Sequence, residues 1–203
     1  MNDPHLETGH RLVAAAILAG GQARRYGGRD KSRLVIDGRT IIVRQMDVLQ
    51  RVASELFIVA PDDGRYRDLG VPVYPDVIPA SGPMGGLATA LERAHAPRVL
   101  VVACDLPYLE EPLLAALAGA AGAAGGGDGA WARSPRGVEP LVACYRRSAR
   151  GVVRGAILAG RLAVVGLGAV LRLRFVDVDA VVADRADRVL ANVNTPADYD
   201  RLQ

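Results

Sequence analysis

The sequence predicts a three-layer α/β/α nucleotide-binding fold around a mostly parallel, mixed sheet, and three observations carry that reading. Residues 12–19 (LVAAAILA) are an unbroken apolar run and 98–103 (RVLVVA) are apolar after Arg98, as expected of strands covered on both faces. Each run ends in a loop able to carry chemistry: a glycine-rich stretch after the first, Cys104-Asp105-Leu106-Pro107 after the second. Segments of helical spacing alternate with these strands, and no internal repeat suggests a solenoid. With 203 residues, half of them apolar, the chain is long enough to bury one core and is read as a single domain over 1–203.

The elements follow in order. Residues 12–19 form the first strand, feeding the Gly20 loop. From Thr40 to about Val52, Ile41, Ile42, Met46, Val48, Leu49 and Val52 recur at helical spacing, which predicts a helix. Strands are expected at 56–60 and 71–74, separated by a turn-rich stretch at 61–64. A Pro- and Gly-rich loop is expected to run to Gly86, with a helix over 87–94. Residues 98–103 are the clearest strand, followed by a helix over about 112–117. The Gly/Ala run 119–129 is read as a flexible surface connection or a poorly capped helix end that packs no core. Strands at 130–133 and 139–145, a helix at 146–159 and a strand at 171–178 come next. Thr195 as N-cap, Pro196 at the first helical position and Asp198 in the first turn open the last helix.

Charge and composition exclude several classes. The net charge is +3 and the pI near 9.1, but the arginines are scattered and aromatics are 4% of residues, so a small anionic substrate accounts for the excess better than nucleic acid does. Cys104 and Cys144 lie far apart without a CxxC pair, and His5, His10 and His95 lack metal-ligand spacing. Both cysteines are read as reduced core residues. No apolar run reaches the roughly 18 residues that span a bilayer, and the first ten residues are polar. The expectation is a cytoplasmic protein with residues 1–11 flexible.

Lysine and arginine together number 25, and Lys31 is the single lysine. It closes Gly20-Gly21-Gln22-Ala23-Arg24-Arg25-Tyr26-Gly27-Gly28-Arg29-Asp30-Lys31, where a compact ammonium reaches a phosphate oxygen that a planar guanidinium does not. The loop lacks the Gly-Lys-Ser/Thr of a P-loop and does not fit GxGxxG. Its glycines let backbone N–H groups approach phosphates, and Arg24, Arg25 and Lys31 neutralise several charges, which suits a triphosphate.

In open α/β sheets ligands sit beyond the carboxyl ends of the strands, where the Gly20 loop and Asp105 both fall. Asp105 is either a turn residue accepting backbone N–H bonds or a carboxylate holding Mg²⁺ together with substrate phosphates. Asp76 precedes Ser81-Gly82-Pro83-Met84-Gly85-Gly86 and is either a loop aspartate or an acceptor for a base or ribose, with the glycines lying against a flat ring. Asn192 and Asn194, two apart on extended chain, point to one side and can contact a polar ligand together. Asp177 and Asp179 are either candidates for a second metal ligand or, on an alternating strand, solvated carboxylates, the reading the pattern favours.

These pieces resemble the molybdenum cofactor guanylyltransferase family. The resemblance is carried by Leu18-Ala19-Gly20-Gly21 through Arg24-Arg25, Gly27-Gly28 and Asp30-Lys31, then Gly82-Pro83 with Gly86, Cys104-Asp105-Leu106-Pro107-Tyr108, Glu139-Pro140-Leu141 and Asn192-Val193-Asn194-Thr195-Pro196. It covers the chain from about Leu12 onward. It departs at Val59-Ala60-Pro61, where members can carry asparagine near the nucleotide.

The resemblance implies a nucleotidyltransferase-type fold in which GMP passes from GTP to molybdenum-loaded molybdopterin, giving the dinucleotide cofactor and pyrophosphate. It implies nucleotide contacts from Leu18, Ala19, Gly20, Gly21, Lys31, Asp76, Gly82 and Asp105, catalytic roles for Lys31, Arg25 and Asp105, and Mg²⁺ on Asp105. Residues of about 12–118 would serve the nucleotide, and those of about 130–203, with Asn192 and Asn194, the pterin acceptor. Transient partners among cofactor-biosynthesis proteins and recipient molybdoenzymes are implied as well. A cytidylyltransferase, another sugar- or alcohol-phosphate nucleotidyltransferase, and a non-catalytic carrier of molybdopterin or nucleotide stand as alternatives.

Overall fold

The computed structural model describes residues 12–20, 30–61, 64–125 and 127–202. Gly21, Arg24, Arg25 and the rest of the glycine-rich loop up to Arg29, and the segment 1–11, lie outside the described residues. A seven-stranded sheet runs in the order β5-β4-β1-β6-β8-β7-β9, built from β1 (Val13–Leu18), β4 (Glu55–Val59), β5 (Val73–Tyr74), β6 (Arg98–Ala103), β7 (Gly129–Ser134), β8 (Gly137–Arg146) and β9 (Leu173–Asp177). All neighbours pair in parallel except β8, which is antiparallel to both β6 and β7. A separate two-stranded ribbon joins β2 (Val35–Ile36) to β3 (Arg39–Thr40). Its turn is Asp37-Gly38, both with positive φ, the backbone a two-residue hairpin demands.

Strand alternation explains the three layers. On β1, Val13, Ala15 and Ile17 face one side, where Ile42, Met46 and Leu49 of α1 (Ile41–Leu49) and Leu113, Leu114 and Leu117 of α3 (Glu111–Gly122) cover them. Ala14 and Ala16 face the other, under Met84, Leu87 and Leu91 of α2 (Gly82–Arg93) and Val153 and Ile157 of α4 (Arg150–Leu158). Strand β6 divides in the same way, with Leu100 and Val102 on the first side and Val99 and Val101 on the second. This double covering is why both strands are apolar, but for Arg98 at the start of β6.

Two expectations need correction. Helix α2 begins at Gly82, five residues before the apolar spacing predicts, so Gly85 and Gly86 are helical rather than loop residues. A Cβ on Gly85 would lie 2.9 Å from the Ile78 carbonyl oxygen, and one on Gly86 would lie 3.2 Å from the Leu18 side chain. Close packing therefore outweighs the poor helix propensity of glycine. The Gly/Ala run begins as a helix end, one of its two readings, since α3 continues to Gly122; the correction is that it does pack core, with Ala121 buried, and that Gly129 already belongs to β7.

Beyond β9 the chain forms α5 (Val178–Val182), which buries Val178 and Val182 on the α1 and α3 side. It continues through α6 (Ala186–Val189) to α7 (Pro196–Leu202). Val193, fully buried, joins Ile36 and Ile41 in a small cluster with Tyr108, Tyr199 and Leu202 packed against it. That cluster draws the C-terminal segment back to the start of the chain.

Candidate functional site

The carboxyl ends of β1 and β6 are register partners, Leu18 opposite Ala103, so the loops that follow them start side by side. The backbone is committed on both sides of Leu18: its carbonyl accepts from Cys104 N (3.2 Å), and Ala19 N donates to the Val59 carbonyl (2.8 Å). Gly20 is exposed at the strand's end.

Lys31 opens a short 3₁₀ turn, residues 31–33, whose N-cap is Asp30. One Asp30 carboxylate oxygen accepts from Ser32 N (3.0 Å) and Ser32 Oγ (2.8 Å), and the other accepts from Tyr66 Oη (2.6 Å). Ser32 and Tyr66 are buried, so the backbone that carries the lysine is pinned from below. Burial pushes the Tyr66 hydroxyl's pKa far up from its ordinary value, and its bond to Asp30 adds to that; it stays a donor.

The C-terminal segment closes over this loop. Lys31 Nζ donates to Asn194 Oδ1 at 3.0 Å, and Val193 N donates to the Asp105 carbonyl at 2.9 Å. Val193 is buried while Asn192 on one side is exposed and Asn194 on the other meets the lysine, as alternation on extended chain requires. Thr195 and Asp198 cap α7 reciprocally: Asp198 Oδ2 accepts from Thr195 N (2.8 Å) and Oγ1 (2.9 Å), and Asp198 N donates to Thr195 Oγ1 (3.2 Å). The bond from Thr195 holds the Asp198 carboxyl below the usual range. The capping role read from the sequence is present, and the structure also brings Asn194 to Lys31.

Asp105 follows β6 in a turn, and its carboxyl is raised by burial, with Lys31 opposing the shift. Glu139, near the amino end of β8, sits at the same edge because that strand runs antiparallel. Its pKa is raised by burial, with Arg136 opposing the shift and the Asp105 charge adding to it. Asp76, two residues beyond β5, is likewise raised by burial. The loop holding it is tied to α2 by buried Thr89, whose Oγ1 accepts from Val77 N (2.9 Å) and donates to the Gly85 carbonyl (2.8 Å). Gly82, at the exposed start of α2, has φ of +56°, where a side chain would strain the backbone.

Asp177 behaves differently: Arg133 grips it bidentately at 2.7 and 3.0 Å, and this bond lowers its pKa. Among the described residues no three His, Cys, Asp or Glu side chains form a metal-binding group. The cysteines are free; Cys144 is buried in the sheet, and burial pushes the Cys104 thiol up to about 12. No helix among the described residues is long and apolar enough to cross a membrane.

Residues that sequence reasoning missed hold these parts in place. Tyr66 and Thr89 carry no recognisable local pattern. Gln45 does: it is fully buried on α1 between Ile42 and Leu49, a polar residue on an apolar stripe.

An exposed Gly20 at the carboxyl end of β1, a lysine on a pinned turn and a half-buried carboxylate at the carboxyl edge of a mostly parallel sheet fit a nucleotide-binding protein of the nucleotidyltransferase class. Comparison with known proteins narrows the class. Residues 15–177 match the MobA-like NTP transferase domain. The chain is 35% identical over 205 residues to a probable molybdenum cofactor guanylyltransferase of Chloroflexus aggregans, covering 96% of this chain and 95% of the relative. It is 32% identical over 191 residues to one of Carboxydothermus hydrogenoformans, covering 94% of each. The crystal structure of molybdopterin-guanine dinucleotide biosynthesis protein A from Archaeoglobus fulgidus superposes with a TM-score of 0.78 at 25% identity, over 93% of this chain and 96% of that one. A CMP-2-keto-3-deoxy-manno-octonic acid synthetase complexed with CTP shares the fold at a TM-score of 0.71 and 14% identity, over 93% of this chain and 95% of that one. The chain belongs to the MobA-like NTP transferase family.

Proposed function

We propose that the protein is a molybdenum cofactor guanylyltransferase, transferring GMP from GTP to molybdenum-loaded molybdopterin. The terminal phosphate oxygen of the pterin attacks the α-phosphorus of GTP in line, a new P–O bond forms, the α–β phosphoanhydride breaks and pyrophosphate leaves. No protein nucleophile is needed, because such transfers depend on positioning and charge neutralisation. One observation carries the reading: Lys31 bonds Asn194 at 3.0 Å while the neighbouring Val193 amide bonds the Asp105 carbonyl at 2.9 Å, which supports a site shared by the N-terminal and C-terminal halves.

In this reading Lys31, helped by Arg25, stabilises charge on the departing pyrophosphate. Leu18, Ala19, Gly20, Gly21 and Gly82 border the nucleotide, Asp76 accepts hydrogen bonds from the nucleoside, and Asn192 and Asn194 face the acceptor. Asp105 fits Mg²⁺: it is a hard oxygen donor, burial makes its charge costly without a cation, and Mg²⁺ takes one or two carboxylates together with substrate phosphates. When bound, the ion supplies charge neutralisation and a template for the phosphates. The protein is expected to work in the cytoplasm and to pass its product to recipient molybdoenzymes through transient contacts.

The test is chromatographic detection of the pterin dinucleotide after incubation with molybdenum-loaded molybdopterin, Mg²⁺ and, separately, GTP, CTP or ATP. Product from GTP alone is expected. Product from CTP would move the assignment to the cytidylyl relative, and nucleotide binding without pyrophosphate release would leave a carrier.

A further inference from the structure

Gln45 lies on α1, outside the loops that border the nucleotide, and is 1% exposed. Its Nε2 donates two hydrogen bonds, to the Ala103 carbonyl at 2.7 Å and to the Leu106 carbonyl at 3.0 Å. Both partners are pure acceptors, so the amide can point only this way. The two carbonyls bracket Cys104 and Asp105, and one side chain thereby clamps both ends of the turn that presents the Asp105 carboxylate. Neighbouring bonds complete the frame. The Asp105 carbonyl takes Val193 N at 2.9 Å, and the Pro107 carbonyl takes Arg44 Nε at 3.0 Å from the adjacent α1 residue.

Glutamine here brings a cost as well as a gain: its Nε2 satisfies two carbonyls, while its Oε1 is buried without a partner. A single amide bonded to both ends of the turn that carries a half-buried carboxylate fixes the orientation of that carboxylate. We infer that Gln45 is a positioning residue for Asp105, fixing the turn so that the carboxylate meets a divalent cation and the phosphates in one geometry. This inference rests on the reading of Asp105 as the metal-holding carboxylate.

The test uses the full-length protein with Gln45→Met, which keeps chain length and removes both donors. Mn²⁺ is titrated against the protein saturated with GTP, without acceptor, and read by electron paramagnetic resonance. Hydrogen exchange at the Val193 and Cys104 amides reports the turn without any metal. The expected results are a roughly tenfold weaker Mn²⁺ affinity, the scale seen when a group behind a metal ligand is removed, unchanged metal-free GTP affinity, faster exchange at both amides, and a modestly lower Tm, since two carbonyls lose their donor. Should Gln45→Met fail to fold, Gln45→Asn, one methylene too short to reach both carbonyls, is expected to weaken Mn²⁺ binding in the same direction. Asp105→Asn separates the two ideas. If it loses Mn²⁺ while Gln45→Met binds as the parent does, the positioning role is overturned and the Asp105 reading stands. If neither substitution changes Mn²⁺ binding, the metal reading of Asp105 falls and the positioning role falls with it.

Discussion

Carboxylates at the site edge and carboxylates on the outer surface are treated in opposite ways. Asp76, Asp105 and Glu139 are all raised, chiefly by burial, and none of them has an ion pair among the described residues. Asp68 and Asp177 on the surface are lowered by hydrogen bonds from Arg33 and Arg133, which grip them as two-pronged forks. The surface pairs are electrostatically complete. The edge group holds negative charge in partial burial with Lys31 opposing it at Asp105, an arrangement that costs stability and is resolved by an incoming cation or by hydrogen-bond donors on a substrate.

The largest test of that contrast is Asp105→Asn, which is expected to take pyrophosphate release in the presence of Mg²⁺ to background. Because the folded protein raises this pKa, the wild-type carboxyl supports folding below the ordinary Asp value, about 3.9, and loses that support as pH rises through its folded value. The variant is therefore expected to melt higher than wild type near pH 7, with the difference closing as pH falls toward 4. A lower Tm at neutral pH would break the comparison. Next comes Lys31→Ala, expected to slow turnover by about 10²–10³-fold, the cost of losing one preorganised stabiliser of developing charge; near-normal turnover from folded protein would remove the lysine from the mechanism.

Gly85→Ala asks whether the Asp76 loop depends on the close approach of α2. Its new Cβ would meet the Ile78 carbonyl at 2.9 Å and Asp76 Oδ2 at 3.3 Å. A loss of about 1–3 kcal/mol is expected in urea unfolding, with a larger rise in KM for the nucleotide than fall in kcat. Thr195→Ala removes one half of a reciprocal cap and should cost about 1 kcal/mol. Smallest is Asp177→Asn, expected to lower Tm slightly near pH 7 and not at all below the carboxyl's lowered value, since a depressed pKa contributes stability only above that range.

Much of the architecture was legible because it rests on local pattern. Strands β1 and β6 read as apolar runs, and α1 showed its period directly. The early start of α2 was not legible, since Gly82, Gly85 and Gly86 argue against helix in isolation and are favoured only by what packs on them. Ala121 in the core was hidden in the same way by the low-complexity run around it. At the site, Lys31 and Asp105 stood out by residue type and by place relative to strands. Their supports did not: Tyr66 reaches Asp30 across 36 positions and Gln45 reaches Ala103 across 58, and no local spacing records contacts of that range.

The bond between Lys31 and Asn194 spans 163 positions, and the Val193 amide reaches back to Asp105. A growing polypeptide can thus complete every strand of its sheet, the last ending at Asp177, and still lack a finished site. A chain cut after Asp177 would forfeit both tethers at once, along with the buried Val178, Val182, Val189 and Val193, so the strands of the sheet and the ties across its edge are laid down by separate stretches of the sequence.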